Sequence, residues 1–170
     1  MTGGQAVVHS LKKEKIKHVF GLIGSATMEI FDGLYQEKEI NFIGVRDERT
    51  GAHMADGYAR ASNKPGVILA GQNGPGATNL VTGIAQAAAA FSPVISIAGA
   101  ISSEDVGKNT FQEIDQQALF EPITKKTWTV RCSSITICHM RSCSFISHTD
   151  KINFFFLIKT IKYFHGGRSD

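Results

Sequence analysis

The sequence predicts an α/β domain in three layers, a parallel sheet covered by helices on both faces. Two observations carry this expectation. Runs such as INFIGV, GVILAG and PVISIAG are apolar along almost their whole length, as strands buried on both faces are. Between them lie segments whose apolar residues recur at helical spacing, long enough to return the chain for another parallel strand.

Taken in order, Ala6, Val7, Leu11 and Ile16 form an apolar face at helical spacing, and KHVFGLIG follows as a short buried strand closed by Gly24. Residues 26–38 return to helical spacing through Met28, Phe31, Leu34 and Tyr35. INFIGV is the second strand, and residues 49–61 form a helix that ends at the break Asn63 to Gly66. Strand GVILAGQ, the turn NGPG, a helix over 77–90 and strand PVISIAG complete the pattern.

The chain has 170 residues, 42% hydrophobic and 19% charged, which suits one soluble domain with a real core. Charge divides by region: residues 1–130 hold 12 Lys+Arg against 13 Asp+Glu, and residues 131–170 hold 6 against 2. The net +3 is therefore a property of the tail, and no basic stripe in the body points to nucleic acid. No apolar run approaches the ~20 residues that span a bilayer, so no membrane partner is expected. No secretory signal opens the chain, and the first 130 residues contain no cysteine. A disulfide framework in the body is thereby excluded, and a cytoplasmic setting is the expectation.

In a parallel sheet, ligands meet the loops at the carboxyl ends of the strands. Three such loops stand out: Gly24-Ser25-Ala26, Arg46-Asp47-Glu48 and Gln72-Asn73-Gly74-Pro75-Gly76. The NGPG turn is not a complete phosphate fingerprint, because Asn79 stands where a third glycine would fall and no Gly-Lys-Ser/Thr follows. A tight strand-to-helix turn accounts for Gly74 and Gly76 but leaves Gln72 and Asn73 unexplained. Glu48 in a first helical turn would interact favourably with the macrodipole, and Asp47 could be its N-cap; pattern alone favours this bland role over catalysis. His53 and Asp56 lie at i and i+3 without a second histidine at i+4, so a hydrogen-bonded, partly buried His53 is expected, not a metal site. The tail spacing C-x5-C-H-x3-C departs from zinc-site spacing, and no metal ligands are assigned.

Together, GGQAVVHSL, VFGLIGSA, VRDERTGAHMADGYARA, NGPGATNLVTGIA, FQEIDQ and PITKKTW make residues 1–130 resemble the N-terminal, pyrimidine-binding domain of thiamine-diphosphate-dependent enzymes, most of all the acetolactate synthase group. Six collinear matches are far more specific than any one. The resemblance implies a carboligase or 2-oxo-acid decarboxylase with thiamine diphosphate as cofactor and a small 2-oxo acid such as pyruvate as substrate. It also implies that Glu48 hydrogen-bonds the aminopyrimidine ring and exchanges a proton with it, which overturns the bland role. A carboxyl group suits this because an apolar setting favours its protonated form. By the same likeness Gly24 and Ser25 lie over the reacting carbon. Gly74, Pro75, Gly76 and Asn79 approach the pyrimidine, and Phe111, Gln112 and Lys125 line the substrate channel.

The chain departs from the synthase pattern at Gly24-Ser25, where Gly-Gly is typical, at Asp47, where His is typical, and at Gln72-Asn73, where Thr-Ser is typical. IGSA and QNGPG are also similar to sulfoacetaldehyde acetyltransferases, and FIGVRDE to 2-hydroxyacyl-CoA lyases; all three groups use thiamine diphosphate. The family holds the diphosphate through magnesium in a C-terminal domain with a Gly-Asp-Gly stretch, which this sequence does not contain, and its acetolactate synthases carry FAD in a middle domain. A homodimer or tetramer is implied for the full-length form, and a catalytically inert fragment is the competing expectation for this chain. Residues 131–170, with no alanine against sixteen before them, are expected to be a non-family tail, disordered or derived from read-through. Within it, INFFFLI has the composition of an aggregation-prone segment.

Overall fold

Helix α1 (Gly3–Lys13) starts from a capping box, in which Gln5 N donates to the Thr2 hydroxyl and Thr2 N donates to the Gln5 side chain. The structure is a computed structural model that describes residues 2–102, 104–131, 138–140, 143–145 and 153–158. Strand β1 (His18–Gly21) follows, then a 3-10 turn (Ser25–Thr27) leading into α2 (Met28–Gln36). After β2 (Asn41–Gly44) comes α3 (Glu48–Ser62), which Asn63 ends by adopting the left-handed conformation at φ 53°. Strand β3 (Gly66–Leu69), α4 (Pro75–Ala89) and β4 (Val94–Gly99) complete the alternation the sequence predicts.

Strands β2, β1, β3 and β4 lie side by side in that order, all parallel. Alternate residues of each strand enter different layers. Val19, Val67, Leu69 and Ile97 pack with Val7, Val8, Leu11, Ile30 and Leu34 of α1 and α2. Phe20, Ile68, Ala70, Val94 and Ala98 pack with Ala52, Ala55, Leu80 and Ile84 of α3 and α4. The two faces of the sheet are thus covered by two helix pairs, and burial of these side chains is the main stabilising term of the domain.

Beyond β4 the chain contains a short helix, α5 (Gln116–Phe120), and β5 (Thr127–Arg131), neither assigned from the apolar pattern. Strands β6 (Cys138–Met140) and β7 (Cys143–Phe145) pair with each other in a separate antiparallel sheet. The backbone of β8 (Asn153–Ile158) lies between β4 and β5 and is antiparallel to both, extending the main sheet to six strands. The four-stranded parallel core therefore continues into a mixed edge. The remainder of the tail lies outside the described residues.

Candidate functional site

Strand β1 is flanked by β2 on one side and β3 on the other, so the chain leaves β1 in one direction and later returns past it. This reversal opens a crevice at the carboxyl ends of the strands. All three predicted loops lie there. The loops after β1 and β3 touch: Leu22 N donates to Leu69 O at 3.2 Å, and Ala26 N donates to Gly71 O at 3.3 Å. A Cβ added at Gly24 would collide with the Gly71 carbonyl, so close approach of two backbones accounts for glycine here. Thr27, fully buried, donates its hydroxyl to Ala70 O at 3.1 Å and ties the 3-10 turn to the end of β3. At the rim, Gln72 Nε2 donates to Ser25 Oγ at 3.1 Å. Sequence reasoning left Gln72 without a role, and this pairing across 47 residues supplies one.

Asp47 is the N-cap of α3, its carboxylate accepting from Arg49 N at 2.8 Å. The Arg49 side chain pairs with the same carboxylate, and this contact holds Asp47 below the usual aspartate range. With the cap supplied by Asp47, Glu48 is not needed for it. Glu48 instead turns inward and is only 4% exposed. Its Oε2 accepts from Asn79 Nδ2, in the first turns of α4, at 3.1 Å. Its Oε1 faces Gly76, where an added Cβ would come within 3.2 Å of it.

The turn before α4 is shaped to leave that side open. Gly74 has φ 35°, a conformation that L side chains rarely adopt, and a Cβ there would also meet the Gln112 carbonyl. Pro75 occupies the first turn, where its missing N–H costs nothing, and Gly76 N donates to the carbonyl of buried Asn73 at 2.9 Å. The structure thus brings Gly24, Ser25, Glu48, Gly74, Pro75, Gly76 and Asn79 to one edge of the sheet.

Of the expected channel residues, Gln112 is carried against the turn by its backbone, at φ 66°. Phe111 is 87% exposed, and Lys125 is exposed just before β5. Gln112 also lines a cavity of about 550 Å³ with Ala100, Ile101, Asn109, Gln116 and Thr129; Glu48 is not among its lining residues. His53 is half-buried on α3. Asp56 is fully buried and accepts from Arg60 and from Gln86 Nε2. No group of three or more metal-ligating side chains occurs among the described residues, and the side chains of the tail cysteines lie outside them. Among the described residues no helix is long and apolar enough to cross a membrane.

Residues 1–119 match the family described as thiamine pyrophosphate enzyme, N-terminal TPP binding domain. The chain belongs to this family. Among similar proteins, the probable acetolactate synthase large subunit of Methanocaldococcus jannaschii is 44% identical over 131 residues, covering 77% of this chain and 22% of that protein. The acetolactate synthase large subunit of Cyanidium caldarium is 46% identical over 133 residues, 76% of this chain and 23% of that protein. The acetolactate synthase large subunit of Haemophilus influenzae is 35% identical over 151 residues, 89% of this chain and 26% of that protein. This thiamine pyrophosphate enzyme domain therefore spans about a quarter or less of the length of these relatives. The family match includes all three loops of the crevice, together with Phe111 and Gln112; Lys125 lies beyond it.

Proposed function

We propose that this chain is the pyrimidine-binding part of a thiamine-diphosphate-dependent carboligase of the acetolactate synthase kind, acting on a 2-oxo acid such as pyruvate. The observation that carries the proposal is Glu48, a buried carboxyl group with one oxygen held by Asn79 and the other turned to a glycine wall. These residues suit an aminopyrimidine ring. A flat heteroaromatic ring needs a proton-exchanging group at its edge and a wall without side chains, and Glu48 and Gly76 supply the two. When bound, the cofactor supplies the electron sink for the 2-oxo acid. Glu48 holds and returns a proton at Oε1, the Gly74-Pro75-Gly76 turn orients the ring, and the Gly24-Ser25 loop, latched to Gln72, covers the crevice.

We assign the diphosphate and its magnesium to a domain outside these 170 residues, because the sequence contains no Gly-Asp-Gly stretch. FAD, where the full-length protein uses it, belongs outside this chain as well. Exposed Phe111 and Lys125 suit a channel completed across a subunit interface, hence a homodimer or tetramer at work in the cytoplasm. The test is a longer polypeptide that joins this domain to its diphosphate domain, assayed for 2-acetolactate formation from pyruvate. Glu48→Gln is expected to remove most turnover, since an amide cannot exchange the ring proton. Wild-type turnover in that variant would overturn the proposal.

A further inference from the structure

Glu48 is buried, yet the side chain that binds it, Asn79, belongs to an exposed residue. An exposed asparagine is ordinarily free to rotate, and fixing it against a carboxyl group 31 residues away has an entropic cost. The chemistry of the pair explains the arrangement. An amide nitrogen is a donor only, so Glu48 Oε2 is held as an acceptor and does not carry a proton along that line. In a neutral carboxyl group the carbonyl oxygen is the better acceptor, so this contact favours the proton on Oε1. Oε1 is also the oxygen beside Gly76, where no side chain stands.

We propose that Asn79 is a positioning residue that acts through Glu48, making Oε2 the fixed acceptor and Oε1 the oxygen that exchanges the proton. The inference rests on the assignment of Glu48 to the pyrimidine ring, and it gives Asn79 a role other than direct contact with the cofactor. Without the Asn79 amide the plane of the carboxyl group can turn about its last bond, and the oxygen beside the glycine wall no longer holds one direction. Binding then loses orientation while the site keeps its shape.

The experiment uses the 170-residue chain, isotope-labelled for NMR, with thiamine as the probe because it carries the aminopyrimidine without the diphosphate. In the free wild-type chain, one Asn79 Nδ2 proton is expected to exchange slowly with solvent, and this protection is expected to be lost in Glu48→Ala. Equal, fast exchange of the two Nδ2 protons in the wild type would overturn the inference without any variant having to fold.

In titrations, Asn79→Ala is expected to weaken thiamine binding about two- to tenfold, the cost of ordering the released carboxyl group on binding. Asn79→Asp is expected to weaken it further, since two acceptors would then face each other. Affinity in Asn79→Ala equal to the wild type, with Glu48→Gln still impaired, would overturn the role of Asn79 alone. Absence of thiamine binding by the wild type, or full binding by Glu48→Gln, would overturn the Glu48 assignment and this inference with it.

Discussion

Gly76→Ala separates a binding defect from a folding defect. The added methyl group would lie 3.2 Å from Gln72 Cβ, 3.2 Å from Glu48 Oε1 and 3.6 Å from Ala70 Cβ. Carbon contacts are optimal near 3.5 to 4.0 Å, so two of the three are tight by a few tenths of an ångström. Overpacking of that kind costs about 1 to 3 kcal/mol. Alanine gains up to about 1 kcal/mol over glycine in a helix interior, and less in the first turn, where residue 76 sits. The net loss of stability is therefore about 0 to 3 kcal/mol, small enough for the domain to remain folded. Binding should suffer in the folded protein as well, because the methyl group occupies the space beside Oε1 that a ring would use. Urea denaturation gives the first quantity and titration with thiamine the second. Gly76→Ala is expected to remain folded in the absence of urea and to bind thiamine at least about tenfold more weakly, a loss of about 1.4 kcal/mol or more. Unchanged affinity would refute the glycine wall.

Two further outcomes follow from the loops. Thr27→Val removes a fully buried hydroxyl and leaves the Ala70 carbonyl without that donor, so it is expected to cost about 1 to 3 kcal/mol in urea denaturation, whereas Thr27→Ser should cost less; equal stabilities for the two variants would contradict the tie. Asp47→Ala is expected to lower the thermal midpoint at pH 7 by removing the cap of α3. The pairing with Arg49 depresses the folded-state value of Asp47, so its charged contribution is complete above the unfolded value and is lost as pH falls through the folded one. The gap between wild type and Asp47→Ala should accordingly narrow below about pH 4, and a gap that widens in acid would contradict that assignment.

The helices and strands up to Gly99 are legible in the sequence because each has enough apolar residues to display a period. Val67, Ile68 and Leu69 are consecutive yet enter different layers, which is why β3 reads as a continuous apolar run. Helix α5 is five residues long and β5 is TWTVR, too short or too mixed in character for periodicity to resolve. The antiparallel place of β8 was not legible either, since local composition gives a strand propensity but not a partner.

In the candidate site, the ends of strands were legible and the pairs across the crevice were not. Asp47 reads correctly as an N-cap from sequence. Glu48 looked like a first-turn acid on pattern alone, and it does stand in that turn; its burial, which separates it from an ordinary helix-end charge, depends on α4. The family resemblance places Asn79 and Ser25 near the cofactor, but neither the Asn79–Glu48 pair nor the Ser25–Gln72 pair is legible in the sequence. Hydrogen bonds between residues 31 and 47 positions apart follow from topology, which no local pattern encodes.

Calorimetric titration of thiamine into the 170-residue chain and into Glu48→Gln tests the central claim most directly. Saturable heat for the wild type, with affinity reduced at least about tenfold in Glu48→Gln, is the predicted result, because the amide retains the shape of the carboxyl group but cannot make its charge-assisted hydrogen bond to the ring. Equal binding by the two chains, or no binding by the wild type, would contradict the claim that Glu48 and its glycine wall form a pyrimidine site.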